Sequence, residues 1–198
     1  MLASIEFAIQ RHPSLLHTQQ EQYRMVASML EYMQITPDAI KGSVMVVGCA
    51  EHFIEEPLVY DYGPNGEVKL RDGITKLTGI DKVPSTCWPA IRKAQNAEFL
   101  DVSLHEYADH YRKNGLFDMI LMLRVGRLSQ QAWHFGLDQA IGTLLKRKGV
   151  CVVTGDSLAL EPLAESAYVT IQSHMILDAF SGPWPFSRQH MGFVLTKT

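Results

Sequence analysis

The fold of this chain is decided by the stretch Val44-Met45-Val46-Val47-Gly48-Cys49-Ala50-Glu51-His52. An unbroken apolar run that ends at a glycine is typical of a strand buried on both faces, in the middle of a parallel sheet. In open α/β sheets, ligands bind at the carboxyl ends of such strands, where the first strand-to-helix turn brings backbone N–H groups towards the ligand. The sequence therefore predicts that a nucleotide-like cofactor, if one binds, does so at the turn around Gly48.

The composition is that of an ordinary globular protein. The chain has 198 residues, of which 46% are hydrophobic and 20% are charged, enough for one domain, 1–198, with a sizeable core. Its net charge of -3 provides no basic field for binding nucleic-acid phosphates. We therefore expect a small-molecule or protein partner and no nucleic acid.

The cysteines, Cys49, Cys87 and Cys151, are odd in number and lack paired spacing. This pattern favours neither a disulfide framework nor a zinc site, and the histidines are likewise scattered without metal-ligand spacing. No segment has the length and hydrophobicity of a membrane span, and the N-terminus lacks the features of a signal peptide. We expect a cytoplasmic protein without a bound metal or a membrane anchor.

Apolar runs alternate with amphipathic segments along the chain, which favours a parallel sheet with helices on both faces. Basic residues 146–148 are predicted in the last turn of one helix, where they suit the helix dipole, with Gly149 as the stop. The strands are predicted at 44–47, 74–81, 97–102, 119–123, 150–154, 169–177 and 191–196, and the helices at 14–33, 84–94, 104–113, 129–148 and 158–167.

Two segments depart from this alternation. The return segment 178–190 is short for a parallel crossover, which favours an antiparallel final strand. Segment 57–71 contains two short alternating runs around Asn65-Gly66, which predicts a hairpin, inserted after the first strand or replacing its helix. The prediction is thus an α/β, Rossmann-like, doubly wound fold. Its sheet is seven-stranded and mostly parallel, its final strand is antiparallel, and residues 1–40 form an N-terminal helical cover.

From residue 41 to residue 198 the chain resembles the class I S-adenosylmethionine-dependent methyltransferases. The resemblance depends on the order of the matching pieces and on the closing strands, since no single piece is specific. The pieces are the glycine segment 44–50, Asp81 after the second strand, Asp101 after the third, 117–121 (Phe-Asp-Met-Ile-Leu) in the fourth strand, and 144–150 at the entry to the fifth strand.

The resemblance implies a set of cofactor-binding residues. Gly48, followed by Cys49 and Ala50, would let the loop pass close to the methionine part of S-adenosylmethionine. Asp81 would bind the ribose hydroxyls, since a carboxylate can accept two hydrogen bonds. Asp101 and Val102 would contact the adenine.

The chain also departs from the family pattern. Members of the family usually carry an acid two residues before the first glycine, where this chain has Val46, and further glycines where it has Ala50 and His52. Asp81 follows Gly48 by 33 residues, against roughly 20 in a simple dinucleotide-binding half. Either the hairpin fills this excess, or Asp81 is not the ribose ligand. Asp81 and Asp101 could instead cap helices or turns.

The methyl acceptor leaves few marks on the sequence, because the activated sulfonium makes donor and acceptor positioning the main task. Arg124, after the fourth strand, could pair with an acidic acceptor group or form a surface salt bridge. Trp184, between prolines in the return segment, could line the acceptor pocket, contact a second copy of the chain, or cover the core. No Asn-Pro-Pro-Tyr-type motif follows the fourth strand, which further disfavours a nucleobase acceptor.

Two functions therefore remain open. The first is S-adenosylmethionine-dependent methyl transfer to a small molecule or a protein side chain, with catalytic residues that the sequence does not identify. The second is a methyltransferase-like scaffold that acts through protein contacts, which the degenerate glycine segment favours. A nicotinamide-dependent dehydrogenase is disfavoured, because the loop lacks the required glycine fingerprint.

Overall fold

A computed structural model of the chain describes residues 6, 9–10, 17–49, 55–65, 67–82, 94–111, 117–125, 136–156, 161–177 and 190–198. The helices within these residues are α1 (His17–Tyr32), α2 (Glu56–Val59), α3 (Leu104–Tyr111), α4 (Leu137–Leu144) and α5 (Glu161–Ala164). The strands are β1 (Gly42–Val47), β2 (Tyr60–Tyr62), β3 (Val68–Leu70), β4 (Ile74–Ile80), β5 (Ala97–Leu100), β6 (Phe117–Val125), β7 (Leu145–Asp156), β8 (Val169–Leu177) and β9 (His190–Lys197). Among the described helices, none is both long enough and apolar enough to cross a bilayer.

Seven strands form one sheet in the order β5-β4-β1-β6-β7-β9-β8. The strands from β5 to β7 pair in parallel, whereas β9 runs antiparallel to both of its neighbours. This confirms the predicted mostly parallel sheet with an antiparallel final strand. The chain first moves outward from β1 to β4 and β5, then returns to the other side of β1 as β6. The order therefore reverses between β1 and β6, the position where doubly wound sheets bind ligands.

Strand β1 is buried on both faces, which explains its unbroken apolar sequence. Val44 and Val46 pack in one core with α1, and Met45 packs in a second core with α3 and α4. All three residues have no exposed surface. Helices therefore cover both faces of the sheet, as predicted, and each face has its own core.

Helix α1 lies close against the sheet because the residue of β9 that it contacts, Gly192, has no side chain. A Cβ added at Gly192 would lie 2.9 Å from the methyl group of Met29 and 3.1 Å from that of Met33. The methionines of α1 therefore pack in the core. Residues 14–16, the predicted start of this helix, lie outside the described residues, as do almost all of the helix predicted at 84–94 and residues 178–189 of the return segment.

The hairpin between β1 and β4 is shorter than the sequence predicts. Strand β2 pairs antiparallel with β3, but Leu58 and Val59, predicted to be in its first strand, belong to α2. Both side chains are fully buried in the core on the α1 side. A strand would turn alternate residues outward, so the helical turn is what allows two adjacent apolar residues to be buried together.

The predicted C-terminal end of helix α4 is also wrong. The helix ends at Leu144, not at Lys148, and residues 145–148 already belong to β7. Leu145 is extended and buried in the core, and Lys148 adopts a left-handed conformation with φ of 70°. Gly149 fits here because a Cβ would lie 2.9 Å from the carbonyl oxygen of Phe117. The chain becomes extended at Leu145 because this residue packs in the core and Gly149 lies against the backbone of Phe117. The helix therefore ends earlier than predicted, and basic residues 146–148 lie in β7, not in the last turn of α4.

The carboxylate of Asp118 joins the first residues of three neighbouring strands. Its Oδ2 accepts a hydrogen bond of 2.8 Å from the Ser43 N–H in β1 and one of 2.7 Å from Lys146 Nζ in β7. Asp118 packs against Gly42, where a Cβ would overlap the carboxylate. Partial burial would raise the pKa of the Asp118 carboxyl, but the hydrogen bonds from Lys146 and Ser43 outweigh it and hold the pKa below its usual value.

Replacing Asp118 by asparagine should therefore destabilise the protein in a pH-dependent way. We expect D118N to lower the free energy of unfolding by about 1–2 kcal/mol at pH 7, allowing for partial exposure of the ion pair. Because the folded-state pKa is lowered, the stabilisation is complete above the unfolded-state value of about 4 and is lost as pH falls through the folded-state pKa. Urea denaturation at pH 7 and pH 3 measures this difference, with D72N as the control, since the Asp72 side chain is 99% exposed. The difference should be smaller at pH 3 than at pH 7, and a difference of equal size at the two pH values would contradict the assignment.

Candidate functional site

The first residues after β1, β4 and β5 lie side by side at the carboxyl edge of the sheet. Val47 pairs with Ile80, and Ile80 pairs with Leu100, so that Gly48, Asp81 and Asp101 follow in adjacent positions. The Gly48 N–H donates to the Ile80 carbonyl at 2.9 Å, and the Asp81 N–H donates to the Leu100 carbonyl at 3.2 Å. Sheet register thus brings three residues predicted from the sequence into one row, which we call the edge row (Gly48, Asp81 and Asp101).

Gly48 meets the two requirements of a turn that a ligand approaches. Its φ of 81° lies in the left-handed region, which side chains disfavour. Among the described residues, no atom would lie within 4 Å of a Cβ placed on it, so these residues leave the space above the turn open. An open turn with exposed backbone can accommodate the polar part of a nucleotide-like cofactor.

Cys49 points away from this opening, into the core on the α1 side. Its side chain is fully buried and lies beside Gly79, where an added Cβ would be 3.0 Å from the Cys49 sulfur and would overlap the ring of Phe99. Burial raises the pKa of the Cys49 thiol, and the nearby carboxylates of Glu55 and Asp81 raise it further. Cys49 is therefore a neutral core residue, and only its backbone can face a ligand. Ala50 and His52 lie outside the described residues.

Asp101 does not cap the helix that follows it. The first turn of α3 is capped by Ser103 and Glu106: the Glu106 N–H donates to Ser103 Oγ at 3.2 Å, and the Ser103 N–H donates to Glu106 Oε2 at 2.7 Å. The hydrogen bonds from Lys82 and Ser103 lower the pKa of Glu106 to about 2. The cap of α3 is thus formed by Ser103 and Glu106, while the Asp101 side chain is exposed and Val102 beside it is partly buried.

Lys82 links the edge row to the same cap. Its Nζ lies 2.7 Å from Glu106 Oε1, which ties the residue after Asp81 to the start of α3. Asp81 itself is partly exposed. The hairpin accounts for the long separation between Gly48 and Asp81, because it lies between β1 and β4 while leaving those two strands paired.

Sequence reasoning missed Glu55, a fully buried carboxylate beside the edge row. Its Oε1 accepts a hydrogen bond of 3.3 Å from the Leu123 N–H, near the end of β6. Glu56, the next residue, is 7% exposed and contributes to raising the pKa of Tyr60, chiefly an effect of burial. The only signal in the sequence is a pair of acids directly before the apolar run 57–60, which ordinarily indicates a solvated helix start.

The residues predicted on the acceptor side are less defined. The main chain of Arg124 continues β6 beyond Leu123, at the carboxyl edge, but its side chain lies outside the described part of the structure, as does Trp184. Within the described residues, no group of three or more histidine, cysteine, aspartate or glutamate side chains could hold a metal ion.

Comparison with solved structures identifies the architecture. The N-methyltransferase NodS from Bradyrhizobium japonicum WM9, in complex with S-adenosyl-L-homocysteine, matches with a TM-score of 0.59 over 90% of this chain and 87% of its own, at 12% sequence identity. The chain has the Rossmann-like methyltransferase fold. A putative O-methyltransferase from Klebsiella pneumoniae shares this methyltransferase fold with a TM-score of 0.56 over 98% of this chain and 90% of its own, at 7% identity.

A third structure with the methyltransferase fold is an rRNA methylase from Streptococcus thermophilus, with a TM-score of 0.50 over 79% of this chain and 87% of its own, at 13% identity. The sequence itself matches no protein-family model and no curated protein. The family resemblance read from the sequence is thus supported by the three-dimensional fold.

Replacing Gly48, in the edge row, and Gly79, close to it, by alanine should lower the stability of the protein by different amounts. G48A introduces only backbone strain, and we expect it to cost about 1–2 kcal/mol of stability. G79A adds a clash with Phe99 and Cys49 inside a packed core, and we expect a cost of about 2–3 kcal/mol. Chemical denaturation of both variants tests this order, which a larger loss in G48A would contradict.

Proposed function

We propose that this protein is an S-adenosylmethionine-dependent methyltransferase that acts on a small molecule or a protein side chain. The observation that carries the proposal is the edge row, where an open glycine turn and two carboxylates meet at the carboxyl edge of a methyltransferase-type sheet. The S-adenosyl-L-homocysteine complex of NodS supports the same cofactor chemistry for this fold.

The residues present suit the cofactor. The space that the described residues leave open above Gly48 can receive its methionine part. Asp81 would accept hydrogen bonds from the ribose hydroxyls, and Asp101, with Val102 beside it, would accept from a polar group of the adenine and pack against its ring. The cofactor supplies an activated methyl group when bound, so the chain's own contribution is to bind, orient and exclude water.

The acceptor side is assigned to the carboxyl end of β6, around Arg124, together with Trp184. The neighbours named above as N-methyltransferase, O-methyltransferase and rRNA methylase have the same fold, so fold does not select the acceptor. The net charge of -3 supports an acceptor other than nucleic acid. Burial raises the pKa of the Cys49 thiol, so Cys49 is not a suitable nucleophile, which fits direct transfer from donor to acceptor.

Asp81 provides the direct test. We expect D81A to weaken binding of S-adenosylhomocysteine by about 1.5–3 kcal/mol, the scale for losing hydrogen bonds to a charged group. Isothermal titration calorimetry measures the affinity, and D72N serves as the matched control because Asp72 is an exposed aspartate away from the edge row.

The same titration separates the two functions. Unchanged affinity in a folded D81A variant would show that another residue holds the ribose. If the unmodified protein binds neither S-adenosylmethionine nor S-adenosylhomocysteine, the enzyme proposal fails and the scaffold function stands.

Replacing Trp184 by alanine tests whether this residue belongs to the acceptor side. As part of an acceptor wall or a contact with a second copy, Trp184→Ala should lower acceptor binding or self-association while costing little stability. Thermal denaturation decides between this role and a core role, since a loss above about 3 kcal/mol is the scale for truncating a buried tryptophan.

A further inference from the structure

One carboxylate at the start of α3 connects the two turns that carry the proposed cofactor ligands Asp81 and Asp101. Oε1 of Glu106 lies 2.7 Å from Nζ of Lys82, the residue after Asp81. Its other oxygen, Oε2, accepts a 2.7 Å hydrogen bond from the N–H of Ser103, which follows Asp101 and Val102. Glu106 is thus in contact with the chain just after both aspartates.

Regular sheet pairing ends just before these two turns. The register of β4 and β5 ends at Ile80 and Leu100, and a further backbone hydrogen bond of 3.2 Å runs from the Asp81 N–H to the Leu100 carbonyl. Helix α3, by contrast, is anchored, because its residues Leu104 and Tyr107 are buried in the core on its side of the sheet. A contact from α3 can therefore hold the turn after β4 where the strand ladder has ended.

We infer that Glu106 is a positioning residue of the cofactor site, which acts through Lys82 to hold Asp81 in the orientation that binds the ribose. The inference rests on the proposed function, in which Asp81 accepts hydrogen bonds from the ribose hydroxyls. A carboxylate that accepts two hydrogen bonds depends on its orientation, and holding it before the ligand arrives reduces the entropy lost on binding. The hydrogen bonds from Lys82 and Ser103 lower the pKa of Glu106 to about 2, so this carboxylate is ionised at neutral pH.

The chain contains a matched control for this ion pair. Lys76 and Glu98 also join β4 to β5, with the same Nζ to Oε1 distance of 2.7 Å and with side chains that are 50% and 40% exposed, against 61% and 48% for Lys82 and Glu106. This second pair lies within the two strands, before the carboxyl edge. A general effect on the stability of the β4–β5 region should appear when either pair is removed, whereas an effect on cofactor binding should appear only with Lys82 and Glu106.

The test is a double-mutant cycle on the pair at the carboxyl edge. Isothermal titration calorimetry with S-adenosylhomocysteine should show about threefold weaker binding in K82M and in E106Q, the scale of an exposed ion pair. The double variant K82M/E106Q should bind no more weakly than either single variant, because all three variants break the same link. Glutamine at position 106 can still cap α3, so E106Q removes the charge and keeps the cap. K76M/E98Q should bind as tightly as the unmodified protein.

Salt provides a second measurement that needs no further substitution. At about 1 M salt the Debye length falls to about 3 Å, which weakens an exposed ion pair. The advantage of the unmodified protein over K82M/E106Q in binding S-adenosylhomocysteine should then largely disappear. A purely structural effect of the substitutions would persist at high salt.

The outcomes separate this inference from the proposed function. The inference is wrong if only one of the two single variants binds more weakly, if the losses add in the double variant, if K76M/E98Q loses as much, or if no variant differs from the unmodified protein; in each case the proposed function stands. If the unmodified protein binds neither S-adenosylmethionine nor S-adenosylhomocysteine, the proposed function fails and the inference fails with it. Should E106Q not fold, K82M at low and high salt decides, because Lys82 lies outside α3.

Discussion

One carboxylate at the amino edge of the sheet links the starts of three adjacent strands. Asp118 holds the start of β1 through the Ser43 N–H and the start of β7 through Lys146, while it lies itself in β6. Beyond this link, β1 and β6 pair in unbroken register from Val44 and Met119 to Val46 and Leu121, whereas the register of β6 and β7 shifts twice. The edge row and the hydrogen bond from Leu123 to Glu55 lie at the opposite, carboxyl edge of the sheet. A shift of one residue in the pairing of two strands would turn each side chain to the other face of the sheet.

The two edges of the sheet each contain an acidic side chain, in different surroundings. Asp118 has a cationic partner in Lys146 and accepts a backbone N–H, so its charge is compensated locally and contributes to stability. Glu55 is fully buried and accepts a hydrogen bond from the Leu123 N–H near the carboxyl end of β6.

The crossover from β1 to β4 explains how a degenerate glycine segment can coexist with an intact sheet. Its described part consists of the short helix α2 and the β2–β3 hairpin, with Tyr60 and Leu58 buried in the core on the α1 side. These residues cover the sheet where a doubly wound fold ordinarily places a longer helix. The hairpin lengthens the path to Asp81 without moving Asp81 away from Gly48, because β1 and β4 remain paired along their length.

By itself, the sequence determined the sheet and the placement of the edge row. A strand buried on both faces requires an unbroken apolar run, so Val44–Val47 and the run in β6 were recognisable, and Gly48, Asp81 and Asp101 follow from where such runs end. Only the tertiary structure decided that α4 ends at Leu144, that Ser103 and not Asp101 caps α3, that Cys49 faces the core, and that Glu55 is buried. The decisive contacts join distant residues: Glu55 and Leu123 are 68 positions apart, and Asp118 and Lys146 are 28 apart. Local periodicity reports which face of an element is apolar, whereas the burial of a single charge depends on which distant strand end it meets.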